Sequence, residues 1–367
     1  MTRITIDLRM YRHSGIGRYL RNLIPILLPL LRADAVRLLG TQTLFANAPW
    51  LTDQRIEIFS TDAPIYSIAE QLLPLRGAFR NSNLLWVPHF NAPLFYRGPL
   101  ALTIHDIAPL ALPEILSNTL KRAYARLLIE RSTARAAAIL CASAFTAEEL
   151  RQHLHVSPDK LTVTHLGLDE SWPTHAQPHT EPGNIPYFLY VGNVKPNKNL
   201  SLLLNAFEQV KDRIPHRLIL AGRMRGFGSN DEPVLRHAKT IGDRVRFTDE
   251  IADSELISLY AGAAALVLPS LYEGFGLPLL EAMQLGCPCL SSNAASLPEI
   301  GADAALYFNP HSVESLIQCL LQVNDTTLMQ TLRIAGQARA TRFSFNLCAT
   351  QTAAVLNPLL QKPRRSF

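Results

Sequence analysis

Short apolar runs alternate along this chain with longer stretches in which apolar residues recur every three or four positions. Ile4-Thr5-Ile6-Asp7 reads as a strand. A loop with Ser14-Gly15-Ile16-Gly17 follows, then a helix from about Arg18. Leu84-Leu85-Trp86-Val87 and Ala101-Leu102-Thr103-Ile104 read as later strands. Ala136 to Ala142 is another, after a long basic helix around Lys121 to Arg135. Such alternation predicts a parallel α/β domain. Between about Ser171 and Pro186 the pattern lapses: Pro173, Pro178, Pro182 and Pro186 mix with Thr, His and Gly183, as in a linker. A second α/β series then runs through Tyr187 to Gly192, Arg217 to Gly222, Val245-Arg246-Phe247, Ala265 to Leu268 and Cys289-Leu290-Ser291. A chain of 367 residues is long enough for two domains, each with its own core.

Composition changes this picture little. The apolar share, 48%, is that of an ordinary soluble enzyme. The net charge of +5 suits anionic partners such as nucleotides, phospholipids or nucleic acid, without choosing among them. Nucleic acid is disfavoured, because no recognised motif or interleaved aromatic pattern accompanies the charge. The five cysteines are odd in number and scattered, which predicts small apolar fillers in a reducing compartment. No signal peptide is visible. The longest apolar stretch, Leu23 to Leu31, is too short to span a bilayer and carries Pro25 and Pro29. The expectation is a cytoplasmic protein, at most touching the inner face of a membrane. Arg9, Arg12, Arg18, Arg21, Lys121, Arg122, Arg126, Arg131 and Arg135 form either an amphipathic anionic-membrane surface or solvated helix faces. The tail Lys362-Pro363-Arg364-Arg365 is expected to be disordered.

The densest chemistry lies at Leu266 to Met283, where an apolar run leads into Tyr272-Glu273-Gly274-Phe275-Gly276 and then a helix. Gly274 and Gly276 allow a sharp turn and a close approach to a ligand. Amides at the start of the helix would face an anion. With Pro278 near the first helical position, Glu281 falls in the first turn and Glu273 in the loop before it. The two acids would then grip different parts of an elongated ligand whose phosphates lie between them. Singly, Glu281 reads better as a favourable first-turn acid and Glu273 as a solvated loop residue; the combined pattern reverses that preference in favour of the ligand.

Other candidates sit at strand ends. Val191 to Leu200 ends a strand and opens a helix, and Lys198 there can reach a diphosphate. Asn193 follows the strand glycine Gly192, and Arg223 follows Gly222. His105-Asp106 ends a strand at the edge where α/β proteins place ligands. Asp106 either orients the imidazole or caps the next helix. Gly15 and Gly17 lie in the first strand-to-helix loop, whose amides can approach a phosphate or an acceptor. Ser143-Ala144-Phe145-Thr146 is either a site segment or a helix N-cap. No Asp-x-Asp element occurs anywhere in the chain.

The Glu273-x7-Glu281 pattern resembles that of the retaining GT-B glycosyltransferases of family 4, also called group 1. The resemblance runs from the first loop to the last helix and is strongest over residues 187 to 300. It implies two Rossmann-like domains facing across a cleft: residues 1–172 on the acceptor side, a linker at 173–186, and a nucleotide-sugar domain at 187–345. Residues 346–367 would form a helix crossing back to the first domain, then the tail. Glu281 would bind the ribose hydroxyls and Glu273 the donor hexose. The amides around Gly274, Phe275, Gly276 and Leu277 would contact hexose and phosphates. Lys198 would be the donor phosphate lysine and His105 would lie near the transferred sugar. Catalytic roles thus fall to His105, Lys198 and Glu273. Many relatives have an arginine where this chain has Asn193, so Lys195 or Arg223 would supply that charge. Gly15 and Gly17 would face the donor or acceptor. The implied reaction moves a hexose, mannose among the options, from a GDP- or UDP-hexose to a hydroxyl of a glycan or lipid-linked acceptor. It needs no metal or cofactor, and bacterial surface polysaccharide or lipopolysaccharide assembly is the expected setting. A soluble glucosyl or glucan synthase, or a non-catalytic nucleotide-sugar-binding protein, is the alternative.

Overall fold

The computed structural model describes residues 1–13, 15–112, 118–223 and 231–361. Ser14 and the basic tail from Lys362 fall outside them. Two compact units are present.

The first unit comprises Met1–Leu110, Asn118–Gly167 and the segment from Ser344. Its strands are β1 (Arg3–Asp7), β2 (Ala35–Gly40), β3 (Ile56–Ser60), β4 (Leu84–Val87), β5 (Leu100–Ile104), β6 (Ala138–Cys141) and β7 (Leu161–Val163). They form one parallel sheet in the order β3-β2-β1-β4-β5-β6-β7. The central strands β4 and β5 are buried along their whole length, as expected when helices cover both faces of a parallel sheet. Helices α1 (Gly15–Leu30), α2 (Ile68–Gln71), α3 (Ala108–Ala111), α4 (Thr119–Arg135) and α5 (Ala144–Leu154) follow in chain order. Helix α1 starts at Gly15, earlier than the expected Arg18, so Gly15 and Gly17 belong to its first turn instead of a loop. A Cβ on Gly17 would lie 2.7 Å from the Tyr11 carbonyl oxygen, so only glycine lets the helix start this close to the preceding chain.

The second unit is essentially Leu168–Phe343. Strands β8 (Tyr187–Val191), β9 (Arg217–Ala221), β10 (Val245–Asp249), β11 (Ala265–Leu268), β12 (Cys289–Ser292) and β13 (Leu306–Phe308) form a parallel sheet in the order β10-β9-β8-β11-β12-β13. Helices α6 (Leu200–Val210), α7 (Asp231–Ile241), α8 (Asp253–Gly262), α9 (Leu277–Gln284), α10 (Leu297–Gly301), α11 (Val313–Gln322) and α12 (Thr326–Ala340) surround it. Its core joins Phe188, Tyr190, Leu203, Phe207, Leu218 and Leu320. The proline-rich segment before β8 is tied down: buried Glu181 accepts from Arg217 (3.0 Å) and His179 (2.9 Å) and pairs with Arg246 (3.0 Å). The last helix, α13 (Phe345–Gln361), packs on α1 and so returns the chain to the first unit.

Each sheet is doubly wound, and the strand order reverses between β1 and β4 in one and between β8 and β11 in the other. The loops at the carboxyl ends of such neighbouring strands diverge and leave a crevice where α/β proteins bind ligands.

Candidate functional site

In the second unit, the loops after β8 and β11 meet at the reversal point. Lys198 ends a short turn, Pro196–Lys198, and Asn199 follows in the left-handed region with φ 56°. The Asn199 amide donates to the carbonyls of Pro269 (3.2 Å) and Pro310 (2.8 Å). Asn197 donates to Tyr272 O (3.0 Å), and its own carbonyl accepts from Leu271 N (2.8 Å). Two asparagines therefore stitch the first loop to the second. Across this seam, Lys198 Nζ lies 2.6 and 2.8 Å from the two carboxylate oxygens of Glu273. Ser270 Oγ donates to the same carboxylate (2.7 Å), and Ser296 Oγ holds the Glu273 carbonyl (2.8 Å). Beneath them, burial and then the Glu273 charge push the Tyr190 phenol well above its usual pKa.

Gly276 caps α9 with φ +99°, and a Cβ there would lie 2.6 Å from Leu297 Cδ2. Leu277 and Pro278 open the helix. The first amides of a helix have no partner within it and carry its positive dipole end. Phe275 is buried with its ring edge-on to that of Phe343 at 5.9 Å. Glu281 is the fifth helical residue and not a first-turn acid as expected. The helix begins at Leu277, so Glu281 sits a full turn inside, 5% exposed, with the Tyr260 hydroxyl 3.0 Å from Oε2.

Asn193 and Arg223 come together through the backbone, since Asn193 Oδ1 accepts from Arg223 N (3.2 Å). The Arg223 guanidinium itself is exposed and paired with Glu250 (2.7 and 2.9 Å).

In the first unit, His105 follows β5. Its Nε2 lies 3.1 Å from Pro88 O, an acceptor only, so the proton resides on Nε2 and Nδ1 carries the lone pair. Tyr19 packs edge-on to the ring at 4.8 Å, and burial pulls the imidazole pKa down to about 4. Asp106 caps the next helix by accepting from Ala108 N (3.0 Å). Ser143 caps α5 through Thr146 N, and Thr146 Oγ1 in turn donates to the His105 carbonyl (3.1 Å). Arg9, expected on a basic surface, is instead buried. It bonds Asp7 and Glu70, each at 2.5 Å, because two buried carboxylates at the end of β1 and in α2 need a shared cation. Asn91 donates to Glu70, and His89 Nδ1 accepts from Asn91 N (3.0 Å). Gly15 is exposed, with nothing within 4 Å of a Cβ built there.

Sequence patterns did not single out Tyr260, Ser270 or Ser296. Tyr260 and Ser296 act through contacts more than twenty residues distant in the chain, and Ser270, three residues before Glu273, carries no motif of its own. Asn197 and Asn199 lay inside a quoted segment, yet their tethering role depends on the loop after β11.

The profile described as Glycosyltransferase Family 4 matches residues 43–172, and that described as Glycosyl transferases group 1 matches residues 173–336. The chain is 29% identical to O-antigen chain mannosyltransferase B of Escherichia coli, over 93% of this chain and 95% of that one. It is 30% identical to O-antigen chain mannosyltransferase RfbU of Salmonella typhimurium, over 65% of this chain and 64% of that one. Among solved structures, sucrose-phosphate synthase from Thermosynechococcus elongatus superposes with a TM-score of 0.76, covering 98% of this chain and 99% of that one at 19% identity. That last likeness is one of fold.

Proposed function

The chain belongs to the group 1 glycosyltransferases of family 4 and has their GT-B fold, and from that premise we propose that it transfers mannose from a nucleotide sugar to a hydroxyl of a growing surface polysaccharide. The observation that carries this reading is the Lys198–Glu273 pair at the strand-order reversal, beside the start of α9 and one turn from Glu281. Mannose and the polysaccharide setting are drawn from the names of the two enterobacterial relatives.

On this reading Glu281 accepts from the ribose hydroxyls and Glu273 from hydroxyls of the donor hexose. Lys198 and the amides of Gly276 and Leu277 take up the charge that develops on the leaving diphosphate, with no metal required. Asn193 and Arg223 border the same strand ends. His105 presents an uncharged imidazole, whose Nδ1 can accept a hydrogen bond from the transferred sugar. Gly15 and Gly17, in the first turn of α1, bring backbone amides to the acceptor side. The sugar keeps its anomeric configuration: the acceptor oxygen attacks the face the diphosphate leaves, and a phosphate oxygen takes its proton. Retention is carried over from the family resemblance as part of this proposal.

A panel of GDP-, UDP- and ADP-sugars, with nucleoside diphosphate release as the readout, tests the reading. Turnover with GDP-mannose is expected. Turnover restricted to a glucose donor would move the reading to a glucosyl or glucan synthase, and no release from any donor would defeat it.

Membrane contact at the first unit is part of the proposal. Gln71 bonds Tyr124 (3.3 Å) and Leu94 N (2.7 Å), while Arg135 bonds Leu94 O (2.9 Å), so α2, the chain at Leu94 and α4 adjoin. Exposed Ile68, Phe95 and Leu120 flank this junction beside exposed Lys121, Arg131 and Arg135. Apolar side chains among basic ones suit an anionic lipid surface. No helix among the described residues is long and apolar enough to cross a membrane. Co-sedimentation with anionic but not neutral vesicles is expected; equal recovery with both would reject lipid contact.

A further inference from the structure

We propose that Tyr260 is a positioning residue for nucleotide recognition, its phenol holding the Glu281 carboxylate in the orientation that grips a ribose diol. This rests on the reading of Glu281 as the ribose acid. Tyr260 lies on α8 with no exposed surface, and its hydroxyl is 3.0 Å from Glu281 Oε2. An ionised carboxylate can only accept, so the phenol is the donor in this bond. A glutamate has three rotatable bonds, and a carboxylate that receives two vicinal hydroxyls must be placed to within a few tenths of an ångström. Holding it in advance removes an ordering cost from binding.

The phenol is itself held. Its ring packs at 6.2 Å from that of Trp172, inclined by 52°. The Trp172 carbonyl accepts from Gln284 Nε2 (3.4 Å), and Gln284 is three residues beyond Glu281 on the same helix. Helix α9, Tyr260 and Trp172 are thus linked in a closed ring of contacts that includes the Tyr260–Glu281 bond. A phenol kept only to fill this space would need no hydroxyl; one that aims the carboxylate does.

Tyr260→Phe keeps the ring and removes the donor. Binding of GDP and UDP, and of their 2′,3′-dideoxy counterparts, is titrated calorimetrically against the wild type, Tyr260→Phe, Glu281→Ala and the double variant. Tyr260→Phe should weaken the preferred ribonucleotide roughly tenfold, as expected for a hydrogen bond to a charged group, and leave the dideoxy form nearly unchanged. In the Glu281→Ala background the same change should cost nothing further. Equal weakening of both nucleotide forms, or of neither, overturns the positioning role, as does a full additional loss in the double variant. If Glu281→Ala leaves discrimination between ribo and dideoxy forms intact, the ribose assignment fails and takes the proposal with it. If Glu281→Ala abolishes discrimination and Tyr260→Phe preserves it, only the role of Tyr260 is rejected.

Discussion

The Lys198 ammonium lies 2.6 and 2.8 Å from the two carboxylate oxygens of Glu273, so the proposed phosphate cation is already paired with the proposed hexose acid. An arriving diphosphate carries more negative charge than the carboxylate it competes with. Drawing Lys198 toward phosphate would release Glu273 for sugar hydroxyls. The two residues should therefore separate in their effects. Lys198→Ala removes the cation and leaves a carboxylate that repels the diphosphate. It should lower kcat by about 100-fold or more, as loss of a transition-state charge donor does, and weaken nucleoside diphosphate binding. Glu273→Gln should lower kcat while leaving diphosphate affinity unchanged or improved, because Lys198 loses its competitor. Calorimetry with the diphosphate alone, set beside steady-state rates, checks this. Equal weakening of the diphosphate by both variants would refute the competition.

Gly276 and Gly15 offer a matched contrast. Gly276→Ala forces a side chain into φ +99° and against Leu297 Cδ2 at 2.6 Å. It should cost about 2 kcal/mol or more in urea unfolding and reduce turnover by shifting the start of α9. Gly15→Ala meets nothing within 4 Å and lies in a helical turn, so it should be neutral or slightly stabilising. A Gly276→Ala protein as stable as the wild type would contradict the backbone assignment at the site.

The parallel sheets and the acidic loop were legible because their signals are local. Leu84-Leu85-Trp86-Val87 is apolar throughout since β4 is covered on both faces, and Tyr272 to Pro278 carries its glycines and proline where the turn needs them. Strand β2 was not marked because Arg37 interrupts it. The structure buries that side chain against Glu57 (3.0 Å) and the carbonyls of Ala78 and Arg80. Arg9 misled for the same reason: a charged residue reads as surface until its partner, here Glu70, is brought from sixty-one residues away. Tyr260 is a core aromatic by every local measure, and only the fold places it under Glu281. Side chains that act across the chain leave no periodicity to read.

The Arg9 network predicts a large and partly reversible loss. Arg9→Met leaves Asp7 and Glu70 buried without their common cation and should cost about 3–5 kcal/mol in urea unfolding. Adding Glu70→Gln removes one stranded charge and should recover part of that loss. A double variant less stable than Arg9→Met alone would show that the carboxylate has other support.

Chelation separates the proposed charge stabilisation from metal catalysis. If Lys198 and the α9 amides suffice for the leaving diphosphate, turnover in excess EDTA should match turnover in added magnesium. A loss that magnesium or manganese restores would reject the metal-free mechanism.

Mild acid should destabilise the fold through its buried imidazoles. Burial lowers His216 from 6.5 to about 4, and His89 likewise. As pH falls from about 6.5 toward 4, the unfolded chain binds protons that these folded imidazoles refuse. Unfolding is then favoured progressively, and stability should rise with pH across this window. Below about 4 both states are protonated and the contribution is spent. Glu70 works in the opposite sense, because its raised pKa lets the folded state take a proton before the unfolded chain does. His216 belongs to the second unit and Glu70 to the first, and His216 stacks on Phe188 at 4.7 Å, so it gives the cleaner test. Urea midpoints between pH 7 and pH 4.5 should fall less steeply in His216→Gln than in the wild type, whatever the variant loses at pH 7. An unchanged slope would mean that His216 titrates normally in the folded protein and that its burial is not felt as desolvation.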